Sequence, residues 1–79
     1  MAKVYARELR AVSEQLDKVL RKYNCMQSAH EGYAILLEEV EELWDEVKRK
    51  QSKRRPNKMR KEAIQVAAMA IRFAMEVKG

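Results

Sequence analysis

The sequence predicts an all-α fold, and three observations carry that expectation. Apolar residues recur at helical spacing in three successive segments. Two glycines and one proline in 79 residues leave almost no turn chemistry for joining strands. A capping signature and a proline punctuate the chain where the periodic segments change.

The first helix is expected from about Lys3 to Tyr23. Tyr5, Leu9, Val12, Leu16, Val19 and Tyr23 step by 4, 3, 4, 3 and 4, which traces one stripe. Leu20 widens the stripe, and Arg7, Arg10, Glu14, Asp17, Lys18 and Arg21 take the wet side. A connector over Asn24 to Gln27 follows. Ser28 and Glu31 then form a capping box, in which the hydroxyl serves free N–H groups and the carboxylate reaches back. The second helix carries Tyr33, Leu36, Val40, Leu43 and Val47 and is expected to end near Lys50 to Ser52. Lys48, Arg49 and Lys50 suit the negative end of its dipole. Pro56 blocks continuation, Asn57 is a candidate cap, and a third helix is expected over Lys58 to Val77. From Ala63 to Met75 that helix is apolar nearly all round, broken only by Gln65 and Arg72, which lie seven residues apart on one face. A helix apolar on every side must be surrounded, so self-association into a homodimer or a dimer of dimers is expected.

Composition bounds the rest. A single domain spanning 1–79 is expected, with the thin core of a chain this small. The lone Cys25 cannot form an internal bridge, and Met1 to Glu8 lacks the apolar run of a secretion signal, so the expected location is cytoplasmic. No stretch is long and apolar enough to span a membrane, and no membrane partner is expected. No Ser/His/Asp or Cys/His nucleophile set and no Gly-rich phosphate loop is present; Gly32 is the single internal glycine. His30 and Cys25 match no zinc spacing. Trp44 falls beside the Leu43 and Val47 face, as a core or interface residue, and Met26, Met59, Met69 and Met75 read as gap-fillers. Arg72 requires a carboxylate partner.

Charge is sorted into blocks. Glu31 to Glu46 holds seven carboxylates and no Lys or Arg, whereas Lys48 to Lys61 holds nine basic residues and no acid. At about 100° per residue, Glu39, Glu42 and Glu46 line the edge of the second helix's apolar face, while Glu38, Glu41 and Asp45 point to water. Like charges so spaced repel, and carboxylates at the edge of a core suit a hard divalent cation such as Mg²⁺. Glu62 and Gln65, one turn apart where the third helix becomes apolar, offer a second set of oxygens. In the basic block, Lys58, Arg60 and Lys61 oppose the dipole of the third helix, a local misfit of the kind that marks function. Lys53, Arg54, Arg55, Lys58 and Lys61 are therefore candidates to hold substrate phosphates.

Glu38-Glu39-Val40-Glu41-Glu42-Leu43, with nineteen residues between Glu42 and Glu62, and Glu62-Ala63-Ile64-Gln65 resemble the MazG-like nucleoside triphosphate pyrophosphohydrolases. The similarity covers Ser28 to Phe73 and rests on the paired pattern Glu-x-x-Glu and Glu-x-x-Asp with an apolar helix behind it. It implies a three-helix protomer, an N-terminal helix plus a helical hairpin, in a dimeric or tetrameric bundle. It implies Glu39, Glu42, Glu62 and Gln65 as ligands for Mg²⁺, or Mn²⁺ in its place, and Glu38 or Glu39 as acceptor of a proton from the attacking water. The implied reaction converts a nucleoside triphosphate to the monophosphate and pyrophosphate. Gln65 stands where that family has aspartate, and an amide oxygen brings no negative charge. Two other readings stay open: a non-enzymatic helical module binding nucleic acid through the basic loop 48–61, and an inactive oligomer of the same fold.

Overall fold

A computed structural model of the chain describes residues 3–77 and contains three α-helices, with no strand among the described residues. They are α1 (Ala6–Lys22), α2 (Ala29–Val47) and α3 (Pro56–Glu76), with a single 3₁₀ turn, Gln51–Lys53, between the last two. The chain runs up, down and up. Arg60 near the start of α3 reaches Glu8 near the start of α1, and Arg72 near its end reaches Asn24 just past α1. Glu46 at the end of α2 meets Arg55 at the start of α3, so this pair is antiparallel.

Both outer helices pack on α3, and among the described residues they do not pack on each other. The core is accordingly small. Val12, Val19, Ala68 and Met69 form its buried centre, with Leu16, Ile35, Leu36, Ile64 and Ala67 packed against it. The stripe foreseen on α1 is buried only in its middle; Tyr5, Leu9, Leu20 and Tyr23 are exposed because one neighbouring helix covers only part of a helix surface.

Local signals set the helix ends, with three departures from expectation. Ser28 Oγ accepts from Glu31 N at 3.0 Å, as the capping box requires, but Glu31 reaches back to Gln27 N at 3.1 Å rather than to Ser28. Helix α2 stops at Val47, three residues short of Lys50, and Lys48 to Lys50 lead into the 3₁₀ turn. Pro56 occupies the first turn of α3, behind Arg55 at the N-cap, so Asn57 is inside the helix rather than capping it. Proline suits that position because its missing N–H would have no helical partner.

The connector between α1 and α2 is fastened to the far end of α3. Arg72, 5% exposed, donates to Asn24 O at 2.6 Å and to Glu76 Oε2 at 3.1 Å, while Glu76 Oε1 accepts from Met26 N at 2.7 Å. The carboxylate partner that Arg72 requires is therefore within its own helix. Met26 is buried beneath this clasp, whereas Met75 is exposed and fills no gap. Gly32 brings α2 close: a Cβ there would lie 2.7 Å from Phe73 Cδ2 and 2.8 Å from Met26 Sδ.

Two stability outcomes follow from this end of the molecule. Arg72→Met leaves the buried Glu76 carboxylate without its cation, and should cost about 3 kcal/mol in urea unfolding at neutral pH. Gly32→Ala gains up to about 1 kcal/mol of helix propensity but loses more to overpacking against Phe73, so its urea midpoint should fall.

Candidate metal centre

The face that α2 turns toward α3 differs from the one its apolar spacing suggested. Tyr33, Val40 and Trp44 are 60%, 41% and 58% exposed, while Glu46 is buried and Glu39 half-buried. Trp44 is thus not a core residue of the protomer. The reason lies in crossing geometry: Gly32, the one position permitting close approach, pulls its own side of α2 inward. Glu39, Leu43 and Glu46 lie on that side, at steps of 7, 4 and 3.

Glu39 and Glu42 on α2 thereby meet Glu62 on α3. One carboxylate oxygen from each lies within 4.8 Å of the others. Glu62 is 4% exposed and Glu42 open to solvent. Gln65, one turn beyond Glu62, faces the same cluster. With its amide nitrogen turned inward it donates to Glu62 Oε2 at 3.1 Å and to Glu39 Oε2 at 3.0 Å. Turned the other way it presents its oxygen to the same two carboxylates, an arrangement that is favourable only around a cation. The four residues singled out from two separate motifs are therefore brought together.

The electrostatics match a crowded anionic site. Burial raises the Glu39 carboxyl to about 7, reinforced by the charge of Glu42, a hydrogen bond to Glu42, and the charges of Glu62 and Glu38. Three oxygen donors, an amide that can add a fourth, and a strained charge balance fit a hard divalent cation, which takes oxygen ligands and relieves carboxylate repulsion. Glu38 is exposed and stands outside the three-carboxylate group. With Glu39, Gln65 and Arg72 it lines a groove of about 320 Å³ between α1 and α2, closed on the far side by Gln15, Val19 and Tyr23. The shared face of Gln65 and Arg72 is the floor of this groove.

The basic candidates are placed less uniformly. Arg55 grips Glu46 with two hydrogen bonds, Nε to Oε1 at 3.1 Å and a terminal nitrogen to Oε2 at 2.8 Å, which holds the Glu46 carboxyl below its usual range. Arg54 Nε donates to Val47 O at 2.9 Å and closes the end of α2. Lys58 Nζ pairs with Glu62 Oε1 at 2.8 Å, which raises the lysine above its usual value. Arg60 pairs with Glu8. The charges that oppose the α3 dipole thus have carboxylate partners for Lys58 and Arg60, an explanation invisible without knowing which helices meet. Lys53 and Lys61 are exposed. The groove wall on α1, Gln15 and Tyr23, had no sequence signal, because neither residue type nor spacing distinguishes it from an ordinary amphipathic helix.

No protein-family model matches the chain, and comparisons with curated proteins and with solved structures find no match either.

Glu39 and Glu46 act on stability in opposite senses. A folded-state value raised from 4.5 to about 7 means that the Glu39 carboxyl favours folding when protonated. Its contribution is complete below 4.5 and is lost as pH rises through 7. Glu46, with its value lowered, contributes above the unfolded carboxylate value and loses that contribution as pH falls through its folded value. In chelator, the melting temperature should therefore decline from pH 5 to pH 8, and Glu39→Gln should flatten that decline. An unchanged slope in the variant would exclude Glu39 as its source.

Proposed function

We propose that the protein is a divalent-cation-dependent hydrolase of nucleoside triphosphates, a MazG-like pyrophosphohydrolase yielding a nucleoside monophosphate and pyrophosphate. The observation that carries this reading is the convergence of Glu39, Glu42 and Glu62 within 4.8 Å, from two helices and two sequence motifs, beside a groove. The groove's volume of about 320 Å³ is at the lower end of small-molecule sites. Ile35, Val19 and Met69 give it apolar walls and Gln15 and Tyr23 polar ones, a combination suited to a nucleoside.

Glu39, Glu42 and Glu62 would hold Mg²⁺ or Mn²⁺, with the Gln65 amide turned to present its oxygen. When bound, the cation supplies charge neutralisation for the triphosphate, orientation of the reacting groups and activation of water. Glu38, exposed on the groove wall and outside the carboxylate group, would accept a proton from the attacking water. Lys53 and Lys61, both exposed, remain free to approach phosphates, and Lys58 sits beside Glu62.

A second reading has its own support. Lys58 and Gln65 already neutralise or hydrogen-bond Glu62, which suits a self-sufficient polar cluster without turnover. The nucleic-acid reading is weakened by the same geometry: Lys48, Arg49, Arg55, Lys58 and Arg60 all pair with carboxylates of this chain. Product analysis with a panel of NTPs and dNTPs, with and without Mg²⁺, decides between them. Monophosphate plus pyrophosphate, lost in Glu39→Gln and Glu62→Gln with helical content intact, is the expected outcome. Absence of turnover from the folded protein would favour the cation-free cluster.

The same reading includes self-association, expected from the apolar run of α3, where Ile71 and Met75 are exposed, and supported also by an apolar face of α2. Tyr33, Leu37, Val40 and Trp44 step by 4, 3 and 4 on the side of α2 away from the groove, and all are exposed. They leave on the order of 400 Å² of apolar surface open, about half of what each partner contributes to a standard interface. Trp44→Lys should lower the molar mass measured by light scattering, with no loss of helical content. A wild-type protein already monomeric at tens of micromolar would remove this part of the proposal.

A further inference from the structure

We propose that Lys58 is an exchangeable counter-ion, occupying Glu62 while the carboxylate cluster is cation-free and transferring to substrate phosphate when a divalent cation enters. The inference rests on the divalent-cation reading of that cluster. Three observations lead to it.

First, Glu62 is fully engaged within its own helix. Lys58, one turn before it, holds Oε1 at 2.8 Å, and Gln65, one turn after it, donates to Oε2 at 3.1 Å when its amide nitrogen is turned inward. An ammonium and an amide nitrogen thus take up the two oxygens that a cation would require. Second, the two halves of this pair differ in freedom. The Glu62 side chain is 5% exposed and fixed between helices, whereas that of Lys58 is 38% exposed on a flexible four-carbon stem. A divalent cation brings more charge to the same oxygens, so the lysine is the member that yields. Third, Lys58, Gln65 and Arg72 are spaced by seven residues each, which puts them on one face of α3. Gln65 and Arg72 line the groove, so a displaced Lys58 stands on the same face two turns toward the start of α3.

The exchange conserves favourable pairing throughout. Before entry, the Lys58 charge compensates Glu62. After entry the cation does so, and the lysine charge becomes available to the anionic tail of a triphosphate lying along α3. Lys58 is then both a competitor of the cation and a ligand of the substrate, and these roles predict opposite effects of one substitution.

The test uses Mn²⁺ alone, with free Mn²⁺ read by electron paramagnetic resonance. Lys58→Met should bind Mn²⁺ about two- to fivefold more tightly than wild type, the size that a partly exposed ion pair supports. With Mg²⁺ present, the same variant should bind a non-hydrolysable α,β-methylene nucleoside triphosphate several-fold more weakly. In wild type carrying ¹³C-methylated lysines, the Lys58 resonance, assigned by its loss in Lys58→Arg, should move on saturation with Mg²⁺. Equal or weaker Mn²⁺ binding by Lys58→Met, unchanged analogue binding, or a stationary Lys58 resonance in a protein that binds Mn²⁺ would overturn the exchange while leaving the cation site standing. Failure of wild type and Lys58→Met alike to bind Mn²⁺ would remove the cation site itself, and the exchange with it. If Lys58→Met does not fold, the wild-type resonance decides the matter.

Discussion

Everything in this chain is organised by the fact that α3 is the sole support of both other helices. Helices α1 and α2 each lay one side on it, and among the described residues their backbones do not approach each other. The apolar run from Ala63 to Met75 is what makes a double-sided support possible: Ile64, Ala67 and Ala68 share a core with Val12 and Val19 of α1 and Ile35 and Leu36 of α2, and Phe73 meets α2 at Gly32. The cost is a core in which no large side chain is fully buried among the described residues. Stability is then supplemented by charge pairs at both ends of the hairpin, Arg72 with Glu76 at one and Arg55 with Glu46 at the other.

The fold class and the number of helices were legible because each helix carries its own periodic stripe, and the second and third have their own start signals, Ser28 and Pro56. Legibility stopped where the answer depended on which side of a helix is covered. Helix α2 is the clearest case. It has apolar residues at Tyr33, Leu37, Val40 and Trp44 and at Leu36 and Leu43, so its period alone permits more than one orientation. The one residue that decides, Gly32, carries no hydrophobic signal at all; it acts through the absence of a Cβ near Phe73 and Met26. The decision it makes places Glu39 and Glu46 inward and leaves an aromatic pair, Tyr33 and Trp44, outside.

The candidate site shows the same division. Spacing put Glu39 and Glu42 on one face, together with Glu46, and Glu62 and Gln65 on another, because three-residue steps keep side chains on one helix face; the choice of Glu39, Glu42, Glu62 and Gln65 as a set came from the family resemblance. The basic residues could not, since long flexible side chains choose partners by proximity across elements. Arg55 found Glu46, nine positions earlier, and Arg60 found Glu8, at the other end of the chain. The dipole misfit at the start of α3 was real as a local statement, and its resolution is tertiary.

The open side between α1 and α2 has a consequence for how this protein can change over time. All three clustered carboxylates belong to the α2–α3 hairpin, whereas one whole wall of the groove, from Gln15 to Tyr23, belongs to α1. Substitutions along that wall reshape what the groove admits without removing an acidic oxygen, because none of the three clustered carboxylates comes from α1. Admission and acidity are inherited on separate stretches of the chain, and each is free to drift at its own pace.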